Sequence, residues 1–250
     1  MTVLEVRDLY KGFGGVQAVA GVAFDVAAGE LLAMIGPNGA GKSTCFNMLN
    51  GQLRPESGSV RLNGQEIAGL PPHVVSRLGV GRTFQITATF GSMTVAENVQ
   101  TALIAHHRGL RGLWRPAAAM HRDAALALLE RVGMAEQADR ACGVLAYGDL
   151  KRVELAVALA NDPVLLLMDE PTAGMAPGER VELMALTAEI THEREIAVLF
   201  TEHDMDVIFT HADRIIVLNR GELIAGGTPE EVRANRRVRA LYLGESVRGE

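Results

Sequence analysis

The chain opens on an alternation of apolar and polar positions. In TVLEVRDL, Val3, Glu5, Arg7 and Leu9 fall on one side of an extended strand and Leu4, Val6 and Asp8 on the other. AVAGVAFDVAAGE reads as a second strand closed by a turn, and SGSVRLNGQEI as a third. These three predict an antiparallel sheet beside the short buried strand ELLAMI. The segment KSTCFNMLNGQL predicts a helix ending near Gly51, and LGVGRTFQ a further strand ending at Gln85. The period then turns helical from Thr94 to Ala160, through TVAENVQTALIA, PAAAMHRDAALALLERVGM and DLKRVELAVALAND, with HHRGLRGLW as a loop. This block reads as an inserted helical lobe.

Beyond it, PVLLLMDEP is an unbroken apolar run, as a parallel strand covered on both faces requires. PGERVELMALTAEITHER is an amphipathic helix and IAVLFTEHD the next strand. ADRIIVLNRGELIAGG holds two short strands around Arg220 and Gly221. A helix follows with Thr228 as its cap and Pro229 in its first position. The whole predicts one α/β domain with a lobe, and 250 residues can bury a large core.

Composition narrows the function classes. Although 48% of the residues are hydrophobic, no apolar run nears the length of about 18 needed to span a bilayer. The start MTVLEVRDLYKGF lacks a basic stretch followed by an apolar block, so a cytoplasmic protein is expected, meeting a membrane only through a partner. A net charge of −6 without a basic stripe argues against nucleic acid as a partner. The one dense basic cluster, RANRRVRALYLGESVR, reads as a solvated amphipathic helix. Cys45 and Cys142 lack metal-ligand spacing and are expected as free thiols.

The chemistry concentrates after the apolar strands. IGPNGAGKST contains the pattern G-x-x-x-x-G-K-[ST] as Gly36, Gly41, Lys42 and Ser43. Gly36, Gly39 and Gly41 let the backbone turn sharply and aim N–H groups at one anion. The helix start adds its dipole, Lys42 a positive charge, and Ser43 a hydroxyl for a metal. A chance glycine-rich turn would not need the strand before it and the helix after it. In LLLMDEP the strand delivers Asp169 and Glu170 at its carboxyl end, where ligands sit in open α/β sheets. Asp169 is placed to hold Mg²⁺ opposite Ser43, and Glu170 to take a proton from an attacking water. Two merely solvated acids would not account for the apolar run leading into them. His203, in LFTEHD, is either structural or, if the strands are parallel, placed to bond a γ-phosphate and orient Glu170.

In order, GPNGAGKST, GRTFQ, a helical insert, LAYGDLKRVELAVALA, VLLLMDEP, AGMAPGE and TEHD resemble the ATP-binding subunit of ABC transporters over almost the whole chain. The resemblance implies a P-loop, RecA-like core with a parallel sheet, an antiparallel β subdomain and an inserted α-helical subdomain. It divides the chain into 1–93 and 161–240 for the nucleotide-binding core, 94–160 for the helical part and 241–250 for a short tail. It implies ATP and Mg²⁺, with the phosphates on Gly36, Pro37, Asn38, Gly39, Ala40, Gly41, Lys42, Ser43 and Thr44. Phe13, or Tyr10 in its place, corresponds to the aromatic that stacks on adenine. Gln85 corresponds to the glutamine that touches metal and water and begins the segment contacting the membrane subunit. Asp169 and Ser43 remain the metal ligands, Glu170 the base, and His203 its companion.

LAYGD stands where the family has LSGGQ, so Ala146 and Gly148 would face ATP held by a second subunit across a head-to-tail dimer. Here the chain departs from the pattern. Ala146 lacks the signature hydroxyl, Tyr147 replaces glycine, Asp149 replaces glutamine, and Ala176 falls where aspartate is common. Asp149 is expected to cap a helix running from Leu150. The cis half of the site is intact and the trans half altered, which suggests a paralogous partner ATPase beside transmembrane permease subunits at the inner membrane. RTFQ, MTVAENV, AYG, EHDM and ALYLGE most resemble the high-affinity branched-chain amino acid importers. Urea-type importers, a lipopolysaccharide-export ATPase and a non-transport ABC ATPase stay open as alternatives. The transported solute would bind elsewhere.

Overall fold

In a computed structural model of the chain, residues 1–83, 89–107 and 120–243 are described, residue 243 by its backbone alone. Two sheets carry the fold. The first is antiparallel and joins β1 (Thr2–Phe13), β2 (Val16–Ala27), β4 (Ser57–Leu62) and β5 (Gln65–Glu66) in the order β2-β1-β4-β5. The second has six strands, in the order β10 (Glu222–Gly227), β9 (Arg214–Asn219), β3 (Leu31–Ile35), β8 (Ala197–Thr201), β7 (Leu165–Asp169), β6 (Val80–Thr83). All neighbours in it are parallel except β9 and β10.

The apolar runs read as covered parallel strands are buried on both faces. On β3, Leu32 and Met34 join a core with α1 (Lys42–Leu49) and the antiparallel sheet, whereas Leu31, Ala33 and Ile35 join a second core. That second core also takes in α3 (Val95–His106), α4 (Arg122–Arg131), α5 (Tyr147–Leu159) and α6 (Pro177–Arg194). Strict alternation fails in β1. A register shift between Val6 and Leu9, with Asp8 at φ +46°, buries Leu9 as fully as Leu4 and Val6. The bulge inserts an extra residue, so the period-2 reading slips beyond Arg7.

Local signals set the helix starts. Thr94 and Glu97 form a capping box on α3, and Asp204 caps α7 (Met205–His211). Thr228 caps α8 (Pro229–Ala234) through the Glu231 amide. α2 (Pro72–Arg77), with proline at its start, is an element that the apolar period did not announce. In α9 (Arg236–Leu243), Val238 is buried while Arg236, Arg237 and Arg239 are exposed, as an amphipathic surface helix requires. Both cysteines are free and buried. Among the described residues no helix is long and apolar enough to cross a membrane.

Candidate functional site

The parallel strands bring their carboxyl ends to one edge, and each candidate residue follows one of them. From β3 the chain enters Gly36–Thr44, and α1 begins at Lys42. Glycine is required here by close packing. A Cβ at Gly36 would lie 2.2 Å from the Leu218 carbonyl oxygen, and one at Gly41 2.3 Å from the Ala18 carbonyl oxygen. The loop is braced by distant backbone. Gly221 N–H donates to Ala40 O (2.9 Å) and Ala20 N–H to Gly221 O (2.8 Å). Helix α1 opens on Gly41 with no side-chain cap and no acid in its first turn. Its end is therefore electropositive and offers unpartnered amide donors to an anion. Asn38, Gly39 and Ser43 are exposed, and Pro37 and Thr44 half-buried.

Lys42 is only 8% exposed. Its Nζ donates to Gly36 O (2.6 Å) and Pro37 O (3.3 Å). Burial lowers its pKa below the ordinary lysine value, opposed by the charges of Glu170 and Asp169. Lys42 thus stands within electrostatic reach of both strand-end acids.

Asp169 ends β7 and is nearly buried. Its Oδ1 accepts from Thr201 Oγ1 (2.8 Å), and its Oδ2 faces Arg82 Nη2 at 3.4 Å. Arg82 also donates to Asn47 Oδ1 (2.9 Å) on α1 and to Gln52 Oε1 (3.0 Å). Burial pulls the Arg82 pKa below the ordinary arginine value, opposed by the charge and hydrogen bond of Asp169. Glu170 turns out of the strand at φ +50°, a conformation that costs a non-glycine residue about 1–3 kcal/mol. Its N–H donates to Thr201 O (3.1 Å), and its Oε1 lies 2.8 Å from His203 Nε2. The two sequence candidates are therefore in contact, although 33 residues separate them.

Phe13 ends β1 opposite Val16, and both are exposed, at 51% and 70%. Ala18, a little further along β2, packs on Gly41, so the hairpin tip stands beside the loop. Tyr10 is engaged instead with β2, where a Cβ at Gly21 would come 2.9 Å from its hydroxyl. Gln85 lies outside the described residues.

The segment Ala146–Asp149 differs from expectation. α5 starts at Tyr147, not Leu150, because Leu150 N–H donates to Ala146 O (3.1 Å). Ala146 is the N-cap residue and makes no side-chain cap; Asp149 sits in the first turn. Gly148 is buried against the Glu179 carboxylate, and the Tyr147 ring lies against Gly174. Ala176 precedes α6 as its N-cap residue.

Sequence reasoning missed three side chains: Arg82, Thr201 and Glu202. Glu202 is 5% exposed and accepts from Thr172 N–H (2.8 Å), Thr172 Oγ1 (2.6 Å) and His203 N–H (3.1 Å). The signal available was an acid at the end of an apolar strand, which had already been used for Asp169. What the edge can do chemically is hold an anion on backbone amides and Lys42, with a carboxylate–imidazole pair beside it.

The family model described as ABC transporter matches residues 19–173, and one described as branched-chain amino acid ATP-binding cassette transporter matches residues 222–248. The high-affinity branched-chain amino acid transport ATP-binding protein BraF of Pseudomonas aeruginosa is 44% identical, over 98% of this chain and 98% of its own length. A crystal structure of the ADP conformation of an ATP-binding cassette of an ABC transporter superposes with a TM-score of 0.88 at 31% identity, covering 98% of this chain and all of the other. A dimeric cassette in a post-hydrolysis state bound to ADP and Pi superposes at 0.76 and 25% identity, over 90% and 98% of the two chains. Similarity of this extent, joined to a phosphate cradle at the same sheet edge as two strand-end acids, means that the chain belongs to the ABC transporter family, as an ATP-binding subunit.

Proposed function

We propose that this subunit hydrolyses ATP to energise a high-affinity importer of branched-chain amino acids. The likeness to BraF over almost the full length of both chains supports the solute. The contact between Glu170 Oε1 and His203 Nε2, beside the P-loop, carries the chemistry.

In this reading the amides of Gly36–Thr44 and the Lys42 ammonium hold the β- and γ-phosphates of ATP. Phe13 stacks on adenine from the hairpin tip. Ser43 and Asp169 are hard oxygen donors, and the long 3.4 Å contact from Arg82 leaves Asp169 Oδ2 able to serve, so the set fits Mg²⁺, with Gln85 as a third ligand. The ion, when bound, neutralises charge on the phosphate oxygens. Glu170 takes a proton from the attacking water, and His203 orients Glu170 and bonds the γ-phosphate. The products are ADP and phosphate.

Residues 1–93 and 161–240 form the nucleotide-binding part, 94–160 the helical part and 241–250 the tail. The helical part presents the exposed Ala146 to ATP on a second subunit, and Gly148, buried against the Glu179 carboxylate, joins it once that side chain moves aside. Because that half of the site is altered and the cis half intact, the second subunit is a related, different ATPase. Both sit on the cytoplasmic face of the plasma membrane against permease subunits that carry the solute.

Glu170→Gln tests the chemistry. The variant should bind Mg-ATP with near-normal affinity and lose turnover about 10²-fold or more, the scale of general-base catalysis. Near-normal turnover would remove Glu170 from that role. Uptake of labelled leucine by membrane vesicles carrying the assembled complex tests the solute: ATP-dependent uptake is expected, and none above that of vesicles lacking the complex would refute it.

A further inference from the structure

Two loops meet at the mouth of the site, one following β7 and one following β8. Glu170 lies on the first and His203 on the second, and their 2.8 Å contact depends on how far apart the loops are held. On the strand side, Glu170 N–H donates to Thr201 O and Oγ1, both at 3.1 Å. On the outer side the loops are joined by one buried carboxylate. Glu202 Oε1 accepts from the N–H (2.8 Å) and hydroxyl (2.6 Å) of Thr172, two residues beyond Glu170. Glu202 Oε2 accepts from the N–H of His203 itself (3.1 Å). A carboxylate 5% exposed is costly to bury unless donors satisfy it, and here three do.

We propose that Glu202 is a positioning residue that sets the distance between Glu170 and His203. The inference rests on the reading of Glu170 as the base. It assigns the geometry of the pair to a clamp that touches neither substrate nor reacting atoms. A second tie spans the same loops farther out. Arg180 donates to Met175 O (2.8 Å) and to Asp204 Oδ2 (2.9 Å). That tie keeps the loops attached when the inner clamp is cut, so the change falls on the pair's alignment, not on the presence of the loops.

The amide of Glu202→Gln cannot satisfy both sides. With its oxygen toward Thr172, its NH₂ faces the His203 N–H, donor against donor. With its NH₂ toward Thr172, the Thr172 N–H loses its acceptor. Thr172→Val cuts only the hydroxyl bond and keeps the side-chain volume. Thr172→Ser keeps both donors.

The experiment compares steady-state ATP turnover by the assembled transporter with Mg-ATP binding to each variant chain, with Glu170→Gln run alongside. Misalignment of a reacting group by about 1 Å costs up to about 10²-fold in rate. Glu202→Gln should therefore lower kcat by about 10- to 100-fold and Thr172→Val by about 10-fold. KM and the Mg-ATP Kd should stay within about twofold, and Thr172→Ser should restore kcat. If Glu202→Gln does not fold, Thr172→Val and Thr172→Ser decide alone. The proposal is overturned if Thr172→Val keeps its kcat, if KM and Kd rise as steeply as kcat falls, or if Thr172→Ser is as slow as Thr172→Val. An inactive Glu170→Gln beside fully active clamp variants overturns the clamp alone, whereas an active Glu170→Gln overturns the base on which it rests.

Discussion

Replacing Ala146 by serine tests the geometry of the α5 start and its use together. Ala146 is exposed, has φ −64° and ψ 154°, and stands as N-cap residue of a 13-residue helix that has no side-chain cap hydrogen bond. A serine hydroxyl there accepts from the amide of Gly148 or Asp149. Such a cap is worth about 1 kcal/mol, within a range of about 0.5–2. In a chain of 250 residues that corresponds to about 2–4 °C in Tm. The same hydroxyl keeps its proton to donate, so it can accept from its own helix and donate to a γ-phosphate held by the partner subunit. A hydrogen bond to a charged group adds about 1.5–3 kcal/mol. With the Asp149 carboxylate still repelling that phosphate, the lower end applies, about tenfold in turnover at the partner's nucleotide. Urea unfolding of the isolated chain measures the first effect, and ATP turnover of the assembled transporter the second. An unfolding free energy unchanged within about 0.3 kcal/mol would refute the cap geometry, below the smallest gain the cap should give. A stabilised variant with unchanged turnover would refute the approach of a second nucleotide to this helix.

Gly41→Ala should lose about 3 kcal/mol or more of stability and most of its Mg-ATP affinity. The residue has φ +108°, and a Cβ would stand 2.3 Å from a backbone oxygen braced through Gly221. Denaturation and nucleotide titration check this, and a loss below about 1 kcal/mol with normal binding contradicts it. Cys45, fully buried on α1 with its thiol pKa pushed up to about 12 by burial, should resist iodoacetamide at pH 8 in the folded chain. Alkylation followed by mass spectrometry should show modification only as urea unfolds the protein, and rapid labelling of native protein would contradict the packing of α1.

The sequence made local features legible and left cross-chain ones hidden. The strand–loop–helix around Lys42 is written in contiguous residues, as are the apolar runs ending at Asp169 and before His203, and the structure brings all three to one edge. The bulge after Val6 was hidden because alternation carries no mark of an inserted residue. The start of α5 at Tyr147 was misjudged because aspartate favours both a cap and a first turn, and only the Leu150–Ala146 hydrogen bond separates the two. Arg82 with Asp169 and Glu202 with Thr172 were hidden for another reason. Their members lie 87 and 30 residues apart, and each reads locally as an ordinary strand-end polar residue. Periodicity places a side chain on a face; it does not say which loop comes to meet it.

The strand that leads into the phosphate loop is made early but sits between β8 and β9, and the loop behind it leans on Gly221. A growing polypeptide therefore lacks both flanks of that strand until most of its length has been synthesised. A ribosome-bound fragment ending before β9 carries every residue of IGPNGAGKST and still has no rigid cradle to close on nucleotide. The flanks of β3 and the backbone that braces its loop are thus all supplied by the last third of the chain, so the cradle can become rigid only as that third emerges.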